Sequence, residues 1–522
     1  YYTFDGSIPS AENAAAMPYL EPILIHRTTV FRAAAYLDEH GRSPVTTQTY
    51  IFLEDVITQT IDPVNPENNP QGLSYPEIWQ GLLPGNYNMV PEIVTQWDDF
   101  NPENNDHGIR EALLSLPTMS IVMDHDDLWD PATGIHPNAI SQSDFYRRPG
   151  SIEYFDPAGG ADFQYNVGVQ MHGGASRRVE WSLKHSFRLV FNPDFGGPSE
   201  LNFPLFDQSG FSNINTVVLK GFNQDGFSTV TNPSWSSPLI STYMKDQWLI
   251  DTHRAMGHLA VEYTYVHLYI NGLYWGLYCA MERADDAMLA SRLGGEREDW
   301  DVIRPLGEYT GSRSVWNEMF DIARQMTSGD PAMADALYYQ LQGLNPDGTP
   351  NPELPVYLDM DNLIDYLTVH YFAGARGWPR QNWVAARNRE NPGEGFQFFV
   401  WDQDVALDRV FRNTINFNVT GHSTGTAQEL SLRLRNSPEF RLRFADRAHK
   451  HLFNDGVLTN NDTTQRWLGL ADNIEPAILG ESARWGDARA GLEVRVYSSD
   501  EYTTILPIIT IDHWRELVGN VP

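Results

Sequence analysis

The chain is 522 residues long, 41% hydrophobic and 12% aromatic, too long for one ordinary domain and apolar enough to bury a sizeable core. With 68 Asp and Glu against 36 Lys and Arg it carries a formal charge of −32, a balance that repels phosphate backbones and anionic lipid and argues against nucleic acid or bare membrane as partners. The single cysteine, Cys279, excludes an intrachain disulfide, and no window approaches the roughly 18 consecutive apolar residues of a membrane span, so no direct membrane insertion is expected.

The first 54 residues read as all-β. A strand ends at Phe4 in the turn Asp5-Gly6-Ser7; alternating runs at 28–36 and 47–52 follow, separated by a polar turn at 38–43. The pattern predicts a partial small sandwich, entered on a strand already under way, and the chain is expected to be a segment of a longer protein. Residues 55–109 are rich in Pro, Asn and Asp and repeat Asn-Pro-Glu-Asn-Asn at 65–69 and 101–105. They read as a long connecting segment in which turn chemistry is the plain role, since neither copy has the ligand spacing of an EF-hand loop. The run Asp124-His125-Asp126-Asp127 reads as a charged strand end leading into a solvated loop.

From 110 to 515 the pattern changes from strand to helix. Strands are expected at 118–123, 165–172, 185–191 and 216–220, with a hairpin over 263–281 turning at Asn271-Gly272, the strongest short hairpin signal. Cys279 falls in its apolar run, where buried packing is the expected role. Ser237-Pro238 opens a helix carrying Leu239, Ile240, Tyr243, Met244 and Trp248. Helices are then expected over 314–326, 331–342, 361–373, 437–453 and 464–480 from apolar residues at three- and four-residue spacing. A β-rich half followed by a helical half is the order of a bilobal, α+β protein-kinase-like fold.

Four stretches carry chemistry. Gly173-Gly174 ends a strand where backbone N–H groups can approach phosphate, with Ser176 and Arg177 as further donors; a tight hairpin is the alternative. Lys184 and Arg188 alternate onto one strand face with Ser186, either as cations for a polyphosphate or as surface charges paired with local carboxylates. Glu282 ends a hairpin strand, where it either holds the phosphate-binding lysine or is simply exposed. Asn382, with Asp402 and Asp404 after the apolar run 396–400, supplies hard oxygen ligands for Mg²⁺ or Mn²⁺, or else caps turns. Protein kinases place a base Asp five residues before such an Asn. Here that position is Gly377, so no catalytic residue is available for the base role unless the register is offset and a carboxylate such as Asp365 serves. If this position faces the substrate hydroxyl, Gly377→Asp is expected to raise phosphoryl transfer; a left-handed dihedral is another reason for the glycine, and one that Asp tolerates better than most residues.

Taken in order, the segments 167–178, 184–191, 266–285, 362–387 and 395–404 resemble the CotH kinase family, and the hairpin at 1–9 resembles the fibronectin-like β-sandwich at the C-terminus of chitobiases. The first resemblance implies an atypical kinase-like fold and ATP-dependent phosphorylation of secreted or surface proteins. It assigns Lys184 and Arg188 to nucleotide phosphates, Glu282 to positioning, and Asn382 with Asp402 to metal; relatives usually carry Asp where this chain has Gly377. The expectation is therefore a secreted or cell-surface protein that binds ATP with Mg²⁺ or Mn²⁺, as a weak Ser/Thr kinase or a pseudokinase acting on a surface protein substrate. The alternative is a structural or adhesive component of an extracellular assembly.

Overall fold

The structure, a computed structural model, describes residues 1–37, 41–101, 107–141, 143–206, 213–230, 236–407, 424–497 and 501–519. It is a mixed α/β protein with a β-rich N-terminal half and thirteen α-helices among the described residues. Two compact units do not follow chain order: one comprises Tyr1–Thr242, Glu262–Glu282 and Asp472–Asn520, the other Tyr243–Val261, Arg283–Ala471 and Val521–Pro522.

The first unit is built on a closed barrel of seven strands. Around the barrel run Phe163–His172, Ser186–Val190, Thr216–Lys220, Leu273–Glu282, Tyr263–Ile270, Thr118–Met123 and Arg148–Phe155, which pairs back onto the first. Only the Tyr263–Ile270/Thr118–Met123 pair is parallel; closure leaves no open edge. The Asn271-Gly272 hairpin forms as its sequence dictates, both residues taking positive φ (47° and 81°) as a type I′ turn requires. Strand Arg148–Phe155 gave no comparable signal because it opens on Arg-Pro-Gly and carries Ser and Glu in its buried stretch.

On this unit also sits a three-stranded antiparallel sheet of Tyr2–Thr3, Thr29–Ala33 and Thr46–Tyr50. Its inner face is polar: Thr47 Oγ1 bonds Ser151 Oγ at 2.6 Å, and Thr49 donates its N–H to Glu153 at 2.9 Å. The segment after it is more than a connecting loop. It forms the helices Leu53–Ile57 and Pro91–Gln96 and buries Trp79, Tyr87, Met89 and Val90. In the first Asn-Pro-Glu-Asn-Asn copy, Asn65 and Asn68 donate to Asp62 at 2.9 and 3.1 Å, which is turn chemistry as expected; most of the second copy lies outside the described residues. Asp124 corrects another reading: its side chain accepts from Asp126 N–H and caps a helix, His125–Trp129, where a solvated loop was expected.

The second unit holds a four-stranded antiparallel sheet in the order Tyr309–Thr310, Trp300–Ile303, Trp383–Asn388, Gln397–Val400. Helices Ser314–Arg324, Pro331–Leu341, Met360–Phe372 and Pro438–Leu452 fall within a few residues of their predicted bounds. Capping explains why: Asp330, Asp359 and Ser437 each accept a first-turn N–H. The helix expected from Ser237 divides instead into a turn, Pro238–Ile240, and a helix, Lys245–Ala255. Tyr243, at φ 66°, breaks it. Helix Asn460–Trp485 is longer than its pattern at both ends.

Candidate functional site

Lys184, Arg188, Ser176 and Glu282 belong to the first unit; Gly377, Asn382, Asp402 and Asp404 belong to the second. In the first, Lys184 precedes strand Ser186–Val190 and is only 1% exposed. Its Nζ donates to Glu481 Oε1 at 2.6 Å and to the Leu277 carbonyl, and it lies 4.7 Å from the centroid of the Tyr278 ring. Glu481 Oε2 also accepts the Leu277 N–H at 2.6 Å. Burial drives the Lys184 ammonium down to about 8 against the opposing pull of Glu481. The close approach depends on Gly276, at φ +105°, beside a bulge between Leu268 and Tyr269, where a Cβ would crowd the Glu481 carboxylate and stand 2.9 Å from Trp485 Nε1. Sequence reasoning missed Glu481: it lies 297 positions from Lys184 on a helix with no local motif.

Glu282, 5% exposed, accepts the Glu262 N–H at 3.0 Å. Arg188 sits beside Gln170 on the neighbouring barrel strand and donates to its Oε1. In the glycine turn, Gly173 takes φ +110°. Arg177 is spent on the backbone: its Nη1 donates to the Ala139 and Ser141 carbonyls at 3.0 and 2.9 Å, which leaves Ser176 as the half-buried side-chain donor of the loop.

In the second unit, Asn382 precedes strand Trp383–Asn388 and Asp402 follows strand Gln397–Val400, so antiparallel pairing brings them together. Asn382 Nδ2 donates to the Asp402 carbonyl at 2.6 Å. The intervening Gln403 ties the pair down, Nε2 donating to the Asn382 carbonyl at 2.7 Å and N–H to Asp246 Oδ1 at 2.7 Å. Asp246, buried at the start of helix Lys245–Ala255, is a second residue that sequence reasoning missed. Both Asn382 and Asp402 hold left-handed backbones, φ 62° and 57°, a conformation uncommon outside glycine. Residues 401–404 are not a strand, so the alternation that put Asp402 and Asp404 on one face does not hold; Asp404 is buried while Asp402 is partly exposed.

Asn382 Oδ1, which no donor among the described residues engages, and the Asp402 carboxylate are hard oxygen ligands of the type that Mg²⁺ or Mn²⁺ takes. No group of three or more His, Cys, Asp or Glu side chains among the described residues is arranged to hold a metal. Two such oxygens would supply only part of a divalent cation's coordination.

Gly377 does not take a positive φ, so a left-handed dihedral is not its reason. A Cβ there would stand 2.6 Å from Asn382 Nδ2: the glycine makes room for the asparagine. Asp365 is no substitute base. It is fully buried, held by His258 at 2.8 Å, His451 at 3.0 Å and Arg447.

No helix among the described residues is long and apolar enough to cross a membrane. No curated protein matches the chain. The Fn3 associated family model matches residues 1–50, the three-stranded sheet and its loops. The CotH kinase protein model matches residues 169–507, more than half of the chain and including the glycine turn, Lys184 and the Asn382/Asp402 pair. The chain belongs to the CotH kinase protein family.

Proposed function

We propose that this atypical kinase-like protein binds ATP with Mg²⁺ or Mn²⁺ and acts, on a secreted or cell-surface protein, as a weak Ser/Thr kinase or as a pseudokinase. The observation that carries the reading is the approach of Asn382 to Asp402, the Asn382 Nδ2 donating to the Asp402 backbone carbonyl at 2.6 Å with both residues in left-handed backbone. Left-handed backbone outside glycine recurs at functional sites, and Asn and Asp are the residue types that adopt it most readily. In this reading Asn382 and Asp402 hold the cation, with Asp404 as the inner carboxylate. A divalent cation so held supplies charge neutralisation to the transferring phosphoryl group.

Arg188 and Ser176 take the role of donors to phosphate, and Glu282 that of a positioning carboxylate. Lys184, sealed against Glu481, is the less accessible cation of its segment; a buried Lys–Glu pair of this type is also what protein kinases maintain beside the nucleotide. General-base assistance is worth roughly 10²- to 10⁴-fold, and Gly377 supplies none. The crowding behind Gly377 favours the pseudokinase arm, and with it a second reading, a non-catalytic structural or adhesive part of an extracellular assembly. Transfer of labelled γ-phosphate to the protein itself or a generic acceptor at saturating Mg²⁺/ATP, compared with Asp402→Ala, separates the arms. Transfer that Asp402→Ala removes marks a weak kinase, whereas bound nucleotide without transfer marks a pseudokinase.

A further inference from the structure

The glycine turn after strand Phe163–His172 is exposed at Gly173, Gly174 and Ala175 and buried at Arg177 and Val179. Its buried side is held from outside. Gln80 stands at the tip of the hairpin that pairs Ile78–Trp79 with Leu83–Pro84, in left-handed backbone at φ 51°. Trp79, fully buried, seats that hairpin by donating its indole N–H to the Tyr87 hydroxyl at 2.7 Å. Gln80 Oε1 accepts the Val179 N–H at 3.1 Å, and Nε2 donates to the Arg177 carbonyl at 2.8 Å. Nε2 also faces His185 Nε2 at 3.3 Å and the His136 carbonyl at 3.4 Å. The reverse orientation of the amide would set Oε1 against two carbonyls, so this one is fixed by its neighbours.

His185, 1% exposed, holds another carbonyl of the turn. Its Nδ1 lies 3.1 Å from the Ser176 carbonyl, so Nδ1 carries the proton and Nε2 is left as the acceptor for Gln80. Burial, which pushes this ring down to about 4, keeps it in that neutral form. Arg177 completes the set: its Nε donates to the Gly174 carbonyl at 3.4 Å while Nη1 reaches the Ala139 and Ser141 carbonyls. The carbonyls of Gly174, Ser176 and Arg177 are thus all engaged by side chains. The N–H groups of Gly173, Gly174, Ala175 and Ser176 find no acceptor among the described residues, and a Cβ on Gly174 would meet nothing within 4 Å. A run of backbone donors beside open space complements the oxygens of a phosphate.

We propose that Gln80 is a positioning residue for phosphate binding: with His185 and Arg177 it holds the carbonyls of the glycine turn and leaves the N–H groups to the nucleotide's phosphates. The inference rests on the nucleotide reading above and extends it to residues that reading does not include. Gln80, His136, Ala139 and Ser141 all precede residues 169–507, the stretch matched by the CotH kinase protein model. The segment before the family match is in this way part of the site. Gln80 acts through the turn and touches no phosphate. A glycine turn without such anchors samples many backbone conformations, and ordering it on binding would cost affinity. Fixing it beforehand removes that cost.

Calorimetric titration of Mg²⁺/ATP into the full chain and into Gln80→Met, which keeps the side chain's length and loses its amide, tests the proposal. Amide exchange over residues 173–178, read by mass spectrometry, accompanies it. The parent is expected to bind ATP and to exchange more slowly in this stretch when ATP is bound. Gln80→Met is expected to bind about tenfold more weakly and to exchange faster there before ATP is added. Exchange in strands Trp383–Asn388 and Gln397–Val400 should stay as in the parent. If Gln80→Met does not fold, Gln80→Glu, which keeps the acceptor for Val179 and loses the amide donor, takes its place with the same expectation. Three results overturn this inference and leave the nucleotide reading intact: bound ATP that does not slow exchange at 173–178, a variant that binds within about twofold of the parent, or exchange that rises equally in the two strands. A parent chain that binds no ATP overturns both.

Discussion

At Gly377 a side chain of any kind would meet Asn382. Adding even a methyl group brings it within 2.6 Å of Asn382 Nδ2, the atom that donates to the Asp402 carbonyl. Gly377→Ala is therefore expected to displace Asn382 and weaken metal-dependent nucleotide binding about tenfold, at a stability cost of roughly 1–3 kcal/mol. Gly377→Asp, which the kinase pattern alone predicts to raise transfer, should lose affinity in the same way; a gain in transfer with affinity unchanged would contradict this account of the glycine. Asn382 and Asp402 were legible because kinase-type spacing is local. Glu481 and Asp246 were not, because their partners Lys184 and Gln403 lie 297 and 157 positions away and no short pattern encodes such a pair.

At the scale of elements, Asp365 ties helix Met360–Phe372 to Arg447 and His451 of helix Pro438–Leu452 and to His258. Burial works against its charge, but hydrogen bonds from His258, His451 and Arg447 outweigh that and hold its carboxyl well below the usual carboxylate range. Asp365→Ala leaves Arg447 without this partner, and the expected loss is about 3–5 kcal/mol; urea unfolding followed by circular dichroism checks it, and a loss below about 1 kcal/mol would show that the network is dispensable. Most helices and the barrel hairpin were readable from caps, turn residues and period. The failures share a cause: Tyr243 and Asp402 adopt left-handed backbone that tertiary packing imposes, and strand Arg148–Phe155 is specified by its neighbours in the barrel and not by its own alternation.

For the molecule as a whole, buried neutral histidines set the response to acid. Burial pushes His185 and His267 down to about 4 and His370 to about 3, and His136 and His253 well below 6.5. The unfolded imidazoles titrate near 6.5, so below that pH the unfolded chain takes up protons that the folded chain refuses. Stability is thus full above pH 6.5 and falls as pH drops, by up to about 1.4 kcal/mol per pH unit for each histidine. Melting temperature should decline steadily between pH 7 and 5 in thermal scans; a flat profile would mean that these rings are not held neutral. Family and β-rich-to-helical order were readable from the chain, whereas the interleaving of the two units was not, since Asp472–Asn520 returns to the unit that begins at Tyr1.

The central claim is that Asn382 and Asp402 form a metal–nucleotide site. Calorimetric titration of ATP into the purified chain with Mg²⁺, with Mn²⁺ and with chelator, repeated on Asp402→Ala, tests it most directly. The account predicts micromolar binding that requires the divalent cation and disappears in Asp402→Ala while the fold is retained. No binding to the parent chain, or an affinity unchanged by chelator and by the substitution, would contradict it.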